Sequence, residues 1–163
     1  MKIGRVTISD RAASGQYADA SGPEIERVLQ EYLGPNHTFL RTIVPDDIPA
    51  IAAALRKLAD DEQCALIVTT GGTGITPRDV TPEATRQVLE KELPGFGEIM
   101  RLQSYAVVKT AILSRAVAGT RGATLIINLP GKPRAVAECL GALREAILEA
   151  LEHLQGRDPH QPA

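Results

Sequence analysis

The run Thr69-Thr-Gly-Gly-Thr-Gly74 follows directly on a continuous apolar stretch, ALIVT at 65–69. Glycine accepts positive φ and lets backbone N–H groups come close to a ligand. Placed after a buried strand, such a loop can cradle an anion, and phosphate is the obvious one. Thr70, Gly71, Gly72, Thr73 and Gly74 are the candidate cradle. The loop matches no established nucleotide fingerprint. GxxxxGK[ST] is absent, and Pro77 stands where GxGxxG needs its third glycine. On glycine content alone, a sharp turn with no ligand accounts for the segment as well.

Two carboxylates sit in loops that can face this one. Asp46 follows the run TFLRTIV, and Asp79 closes the glycine-rich segment. Carboxylates from separate loops can hold a divalent cation such as Mg2+ against a polyphosphate. Asp46 or Asp47 can equally cap the next helix, and Asp79 can bond its own turn. Lys132 in LPGKP, with Arg78 and Arg115, offers cations for a phosphate or a solvated surface. Ser9, Asp10, Ser104 and Ser114 can hydrogen-bond a polar ligand. No Cys–His or Ser–His pattern suggests a protein nucleophile. Cys64 and Cys139 are far apart, with no CxxC, and read as buried reduced thiols.

Alternating elements must position these residues. Strands are expected at Ile3–Ser9, Thr38–Val44, Ala65–Thr69 and Ala123–Leu129. Helices are expected at 21–33, about 49–60, 81 to about 92, 97–108 and 133 to about 154. Asp10–Ala20 reads as loop, Ser21–Glu24 as a capping box, Pro94–Gly97 as a break and 110–118 as ambiguous. This order implies a three-layer α/β/α fold with a mostly parallel central sheet. One domain, 1–155, with a flexible tail at 156–163 is the expected organisation. In such sheets ligands bind beyond the carboxyl ends of the strands. That rule selects the loops after Ser9, Val44, Thr69 and Leu129.

Composition narrows the ligand classes. Aromatics are 3% of the 163 residues and Trp is absent, so base-stacking platforms for single strands are not available. The net charge is −2, with no basic run, which argues against nucleic-acid binding. No targeting segment or membrane-length apolar run is visible, so a cytoplasmic protein without a membrane role is expected.

Six segments in order carry a resemblance. They are ISDRAASGQYADASGPEI (8–25), VPDD (44–47), VTTGGTGITPRDVTPEAT (68–85), LPGFGEIMR (93–101), TAILSRAVAG (110–119) and NLPGKP (128–133). Together they resemble the MogA/MoaB family, a module also found as the G domain of gephyrin. The resemblance implies a molybdenum cofactor biosynthesis enzyme, with molybdopterin and Mg-ATP as substrates. The terminal phosphate of molybdopterin would attack the α-phosphate of ATP, giving adenylyl-molybdopterin and pyrophosphate. Asp46 and Asp79 fall on the family's essential aspartates and would organise Mg2+. Gly71–Gly74 would hold phosphates, Ser104 and Ser114 would lie on the pterin side, and Lys132 would edge the pocket. The resemblance also implies a homotrimer and hand-over to a MoeA-type molybdate-insertion protein. Two alternatives stand beside it: a MoaB-like pterin or nucleotide binder with weak or no catalysis, and a non-catalytic trimeric interaction module.

Overall fold

A computed structural model describes residues 1–156. A six-stranded sheet runs in the order β2-β1-β3-β6-β5-β4. β1 (Lys2–Ile8), β2 (Thr38–Val44), β3 (Leu66–Thr70) and β6 (Thr124–Leu129) are parallel. β5 (Ala118–Arg121) and the two-residue β4 (Lys91–Glu92) extend the sheet with antiparallel pairings. α2 (Ser21–Leu33), α5 (Pro94–Val107) and α6 (Pro133–Leu154) cover one face, over Ile3, Leu66, Val68, Leu125, Ile127 and Leu129. α3 (Ile48–Arg56) and α4 (Thr81–Arg86) cover the other, over Val6, Ile8, Ile67 and Ile126. This is the expected three-layer, mostly parallel fold.

Pattern explains the layers. β3 and β6 are buried at every position because helices cover both their faces. α6 buries Val136, Leu140, Leu143, Ile147 and Leu151, a stripe spaced by three or four residues. One polar residue interrupts β6. Asn128 Nδ2 donates to the Thr69 hydroxyl at 3.1 Å and to the Thr85 hydroxyl at 2.9 Å, tying β3, β6 and α4 together. Both cysteines are buried and free, and burial pushes the Cys64 thiol up to about 11.

Several boundaries differ from the expectation. Asp10–Ala13 forms a single helical turn, α1, capped by the Ser9 hydroxyl, which accepts from the Ala12 N–H at 3.3 Å. The Ser21–Glu24 box does not form. Asp19 Oδ1 accepts from the Gly22 N–H at 2.9 Å, while Glu24 pairs with Arg27. α3 passes into a π-helical turn at Lys57–Asp61. α4 ends at Arg86, well short of Glu92, because the following backbone joins the sheet: the Glu90 and Leu93 N–H groups donate to Thr120 and Ala118 carbonyls. α5 starts at Pro94, which needs no N–H in a first turn. The ambiguous stretch 110–118 is a 3-10 turn (Lys109–Leu113) followed by the approach to β5. Apart from Gly156, the segment read as a tail lies outside the described residues. No described helix is long and apolar enough to cross a membrane.

The strand order reverses between β1 and β3, which pair in parallel, and the chain after them leads to helices on opposite faces, α2 and α4. Gly71 makes the junction possible. Its φ is +99°, its N–H donates to Leu129 O at 3.1 Å, and a Cβ there would stand 2.3 Å from the Ile8 carbonyl oxygen. A Cβ on Gly131 would meet only the Gly71 backbone, Cα at 3.4 Å and N at 3.9 Å. Gly71→Ala is therefore expected to lower the unfolding free energy by about 2 kcal/mol or more, from strain and clash together. Gly131→Ala is expected to change it by under about 1 kcal/mol. Denaturant midpoints compared with wild type check both.

Candidate functional site

The carboxyl ends of β1, β2, β3 and β6 surround a cleft of about 600 Å³. The Ser9 cap turns α1 so that Asp10 stands at its mouth. After β2, Asp47 caps α3 by accepting from the Ala50 N–H at 3.0 Å. Its neighbour Asp46 is thereby spared that role and lines the cleft. Asp10 and Asp46 are joined reciprocally. The Asp10 N–H donates to Asp46 Oδ2 at 2.9 Å, and the Asp46 N–H donates to Asp10 Oδ1 at 3.0 Å. The loops after β1 and β2 are locked by their own carboxylates.

The loop after β3 supplies the third wall. Thr70 is the last strand residue, and its hydroxyl donates to Pro130 O at 2.8 Å. Gly72 has φ +63°, and a Cβ there would fall 2.3 Å from the Thr81 hydroxyl and 3.0 Å from Asp46 Oδ1. Asp79 Oδ2 accepts from the Thr76 N–H at 2.8 Å and the Thr76 hydroxyl at 2.6 Å. Asp79 thus holds its own turn and lines the cleft as well. Arg78 grips Asp10 with two bonds, Nε to Oδ2 at 2.9 Å and Nη2 to Oδ1 at 2.8 Å.

A second, less polar cleft of about 350 Å³ lies beyond Gly131–Lys132, which line both. Thr73, Gly74, Ser104 and Ser114 line it, with Met100, Arg101, Leu113 and Cys139. Ser104 Oγ stands 3.8 Å from Cys139 Sγ. The sequence candidates therefore divide. Ser9, Asp10, Asp46, Thr70, Gly71, Gly72 and Asp79 meet in the first cleft, Thr73, Gly74, Ser104 and Ser114 in the second, and Lys132 edges both.

The first cleft is acidic for a phosphate site. Asp10, Asp19, Asp46 and Asp79 line it beside Arg11, Arg78 and Lys132. Burial pushes the Asp46 carboxyl above its ordinary value, and the charges of Asp10 and Asp79 add to this, against the Asp10 N–H and Arg78. Asp10 is held below its ordinary value by Arg78 and by the Asp46 N–H. Burial acts to raise Asp79, but the Thr76 and Gly74 bonds and Arg115 outweigh it and leave it lowered.

Three residues gained a place that spacing did not give them. Arg115 is partly exposed but not a free surface cation; it clasps the glycine loop, with Nε donating to Gly74 O at 2.7 Å. Asp19 lines the cleft while accepting from the Thr7 hydroxyl at 2.8 Å and pairing with buried Arg5. The sequence signal for this pair was Arg5 itself, a charge inside an otherwise apolar strand.

The Asp46 shift has a stability consequence. Its folded value lies above the unfolded 3.8, so ionising it costs the folded state, fully so at pH above the folded value. Below 3.8 both states are protonated and the cost vanishes. Asp46→Asn keeps an oxygen acceptor for the Asp10 N–H. It is expected to raise the melting temperature of the ligand-free protein at pH 7, with the gain disappearing as pH falls below 3.8. Thermal melts across pH check this.

Comparison with known proteins places the whole arrangement. A family model described as a "probable molybdopterin binding domain" matches residues 4–153. A molybdopterin adenylyltransferase of Helicobacter pylori is 51% identical over 154 residues, covering 94% of this chain and 88% of that protein. The solved structure of MoaB from Thermus thermophilus is 43% identical, with a TM-score of 0.87, covering 96% of this chain and 97% of that one. A MogA structure is 40% identical, with a TM-score of 0.88 and coverage of 94% and 99%. With the match running through every strand end that lines the two clefts, this chain belongs to the MogA/MoaB family of molybdopterin biosynthesis proteins.

Proposed function

We propose that this chain is a molybdopterin adenylyltransferase, which joins AMP from Mg-ATP to the terminal phosphate of molybdopterin. The observation that carries this reading is the meeting of Asp46 and Asp79, from separate loops, in one glycine-lined cleft that adjoins a less polar one. ATP would lie in the first cleft, with its phosphates against Gly71 and Gly72. The pterin would lie in the second, beside Ser104 and Ser114, with its phosphate reaching past Lys132. An oxygen of that phosphate attacks the α-phosphorus of ATP. The bond from that phosphorus to the β-phosphate oxygen breaks, and pyrophosphate leaves. No protein nucleophile is required, so the protein's work is positioning and charge compensation.

The residues fit a divalent cation that arrives with the nucleotide. Asp46 is pushed up mainly by burial, with the charges of Asp10 and Asp79 adding to it, so a cation beside it would relieve an unfavourable negative charge. Among the described residues no three potential ligands form a ready cage. Mg2+ is commonly held by one or two carboxylates together with phosphates and water, and Asp46 and Asp79 would be those two. The cation would offset the triphosphate charge. Asp46, held by the Asp10 N–H, and Asp79, held by Thr76, are each fixed in direction before any ligand enters.

A second reading is the MoaB-like one: pterin or nucleotide binding with weak or no turnover. In either case we take the protein to be cytoplasmic and a homotrimer. Leu102, Tyr105, Val107, Val108, Ile112 and Leu113 are exposed together around the end of α5, and assembly would cover them. The adenylylated product would pass to a MoeA-type molybdate-insertion protein.

Pyrophosphate release from molybdopterin and Mg-ATP separates the readings. Wild type is expected to turn over; binding of molybdopterin without release supports the second reading. Asp79→Asn keeps an acceptor for Thr76 and is expected to lower kcat by about 100-fold or more. Molybdopterin affinity, by titration calorimetry, is expected to stay within about twofold, on the proposed separation of the two clefts. Loss of pterin binding in a folded variant would sink this division of roles. Light scattering is expected to give three times the 17.4 kDa chain mass; a monomer overturns the trimer.

A further inference from the structure

Residues 71–80 carry the cradle and Asp79, yet they form no strand or helix. No ladder of backbone bonds fixes their shape, and Gly71 and Gly72 at positive φ add conformational freedom. Backbone bonds pin the start of the segment, Gly71 N–H to Leu129 O and Thr81 N–H to Gly72 O, and Arg115, from the stretch leading into β5, constrains the part beyond. Its backbone N–H donates to Thr73 O at 2.8 Å. Its Nε donates to Gly74 O at 2.7 Å and its Nη2 to Asp79 O at 2.6 Å. One side chain therefore grips both ends of the 74–79 excursion. Glu83, in the first turn of α4, holds the guanidinium in turn: Nη1 bonds Oε1, and Nη2 lies 3.3 Å from Oε2. Inside the closed excursion, the Thr76 bonds aim the Asp79 carboxylate.

We propose that Arg115, backed by Glu83, is a positioning residue for adenylyl transfer. It sets where the Asp79 carboxylate stands relative to the glycine cradle. This rests on the adenylyltransferase reading above. A guanidinium suits this, because its planar fork reaches several carbonyls in fixed directions while an ammonium is a compact point charge. A misplacement of about 1 Å at a reacting centre can cost about 100-fold in rate.

Two measurements on the full-length protein with Arg115→Lys test this. The first is amide hydrogen exchange without ligands. Exchange across 72–80 is expected to quicken by about tenfold or more, with β1, β3 and α6 unchanged, since local openings are independent of the global one. The second is turnover. The value of kcat is expected to fall by about 30-fold or more, with the molybdopterin KM within about threefold and a higher Mg2+ concentration needed for half-maximal rate. Millimolar guanidinium added to Arg115→Ala is expected to restore part of the rate, and ammonium is not. Unchanged exchange, or a folded Arg115→Lys with wild-type kcat and Mg2+ dependence, overturns the inference. If Arg115→Lys does not fold, Glu83→Gln decides: a lower kcat at constant KM supports the clamp, and no change overturns it. A wild-type protein that releases no pyrophosphate counts against the adenylyl-transfer reading, while the exchange result still decides whether the clamp exists.

Discussion

The turn after β3 passes over the end of β1 with only a hydrogen's width to spare at Gly71, facing the Ile8 carbonyl. From that approach the rest of the carboxyl edge follows. Because the turn lies so low, Thr70 reaches Pro130 and draws the β6 loop alongside. Because Gly72 comes next without a side chain, the Thr81 hydroxyl and the Asp46 carboxylate can both stand against it. A sheet whose strand order merely reversed here would leave a crevice. The missing Cβ atoms turn that crevice into a walled cleft whose loops touch one another.

Placing Asp10, Asp19, Asp46 and Asp79 around such a cleft is electrostatically unfavourable, and the structure meets the problem unevenly. Asp10 has Arg78 on both its oxygens, and Asp79 has the hydroxyl and amide of Thr76. Asp46 has one backbone N–H and two negative neighbours. The deficit is concentrated on one residue. The Arg78–Asp10 pair is well exposed, with side-chain accessibilities of 64% and 44%, so it contributes little net stability. A phosphate can compete for Arg78 at small cost to the fold.

Much of this was legible in the residues. β3 and β6 announced themselves as buried strands through short, mainly apolar runs, and α6 through its stripe. Their order determined which loops share an edge and brought Ser9, Asp10, Asp46, Thr70, Gly71, Gly72, Asp79 and Lys132 to one cleft; Ser104 and Ser114 line the second, and Arg115 lines neither. Spacing failed where competition decided. Residues 87–92 continue the α4 pattern, but pairing with β5 satisfies their backbone better, a non-local bond that no window shows. Asp46 and Asp47 are identical in type, and only helix geometry selects Asp47 as the cap. Arg115 reads in sequence as a phosphate ligand or a solvated charge, because its side chain bonds the Gly74 and Asp79 carbonyls, which leave no trace in side-chain sequence, and Glu83, which is remote in the chain.

The two rims of the sheet are finished differently. At one, β2 carries Arg41, whose guanidinium folds back onto Glu26 of α2 with two bonds of 2.7 Å. At the other, β4 offers only Lys91 and Glu92. A charged, tethered strand and a two-residue strand are both poor templates for a further chain. Growth by edge-to-edge strand addition is thus discouraged at each end. That leaves the helical layers as the surfaces through which copies can associate without the open-ended polymerisation that exposed β-edges invite.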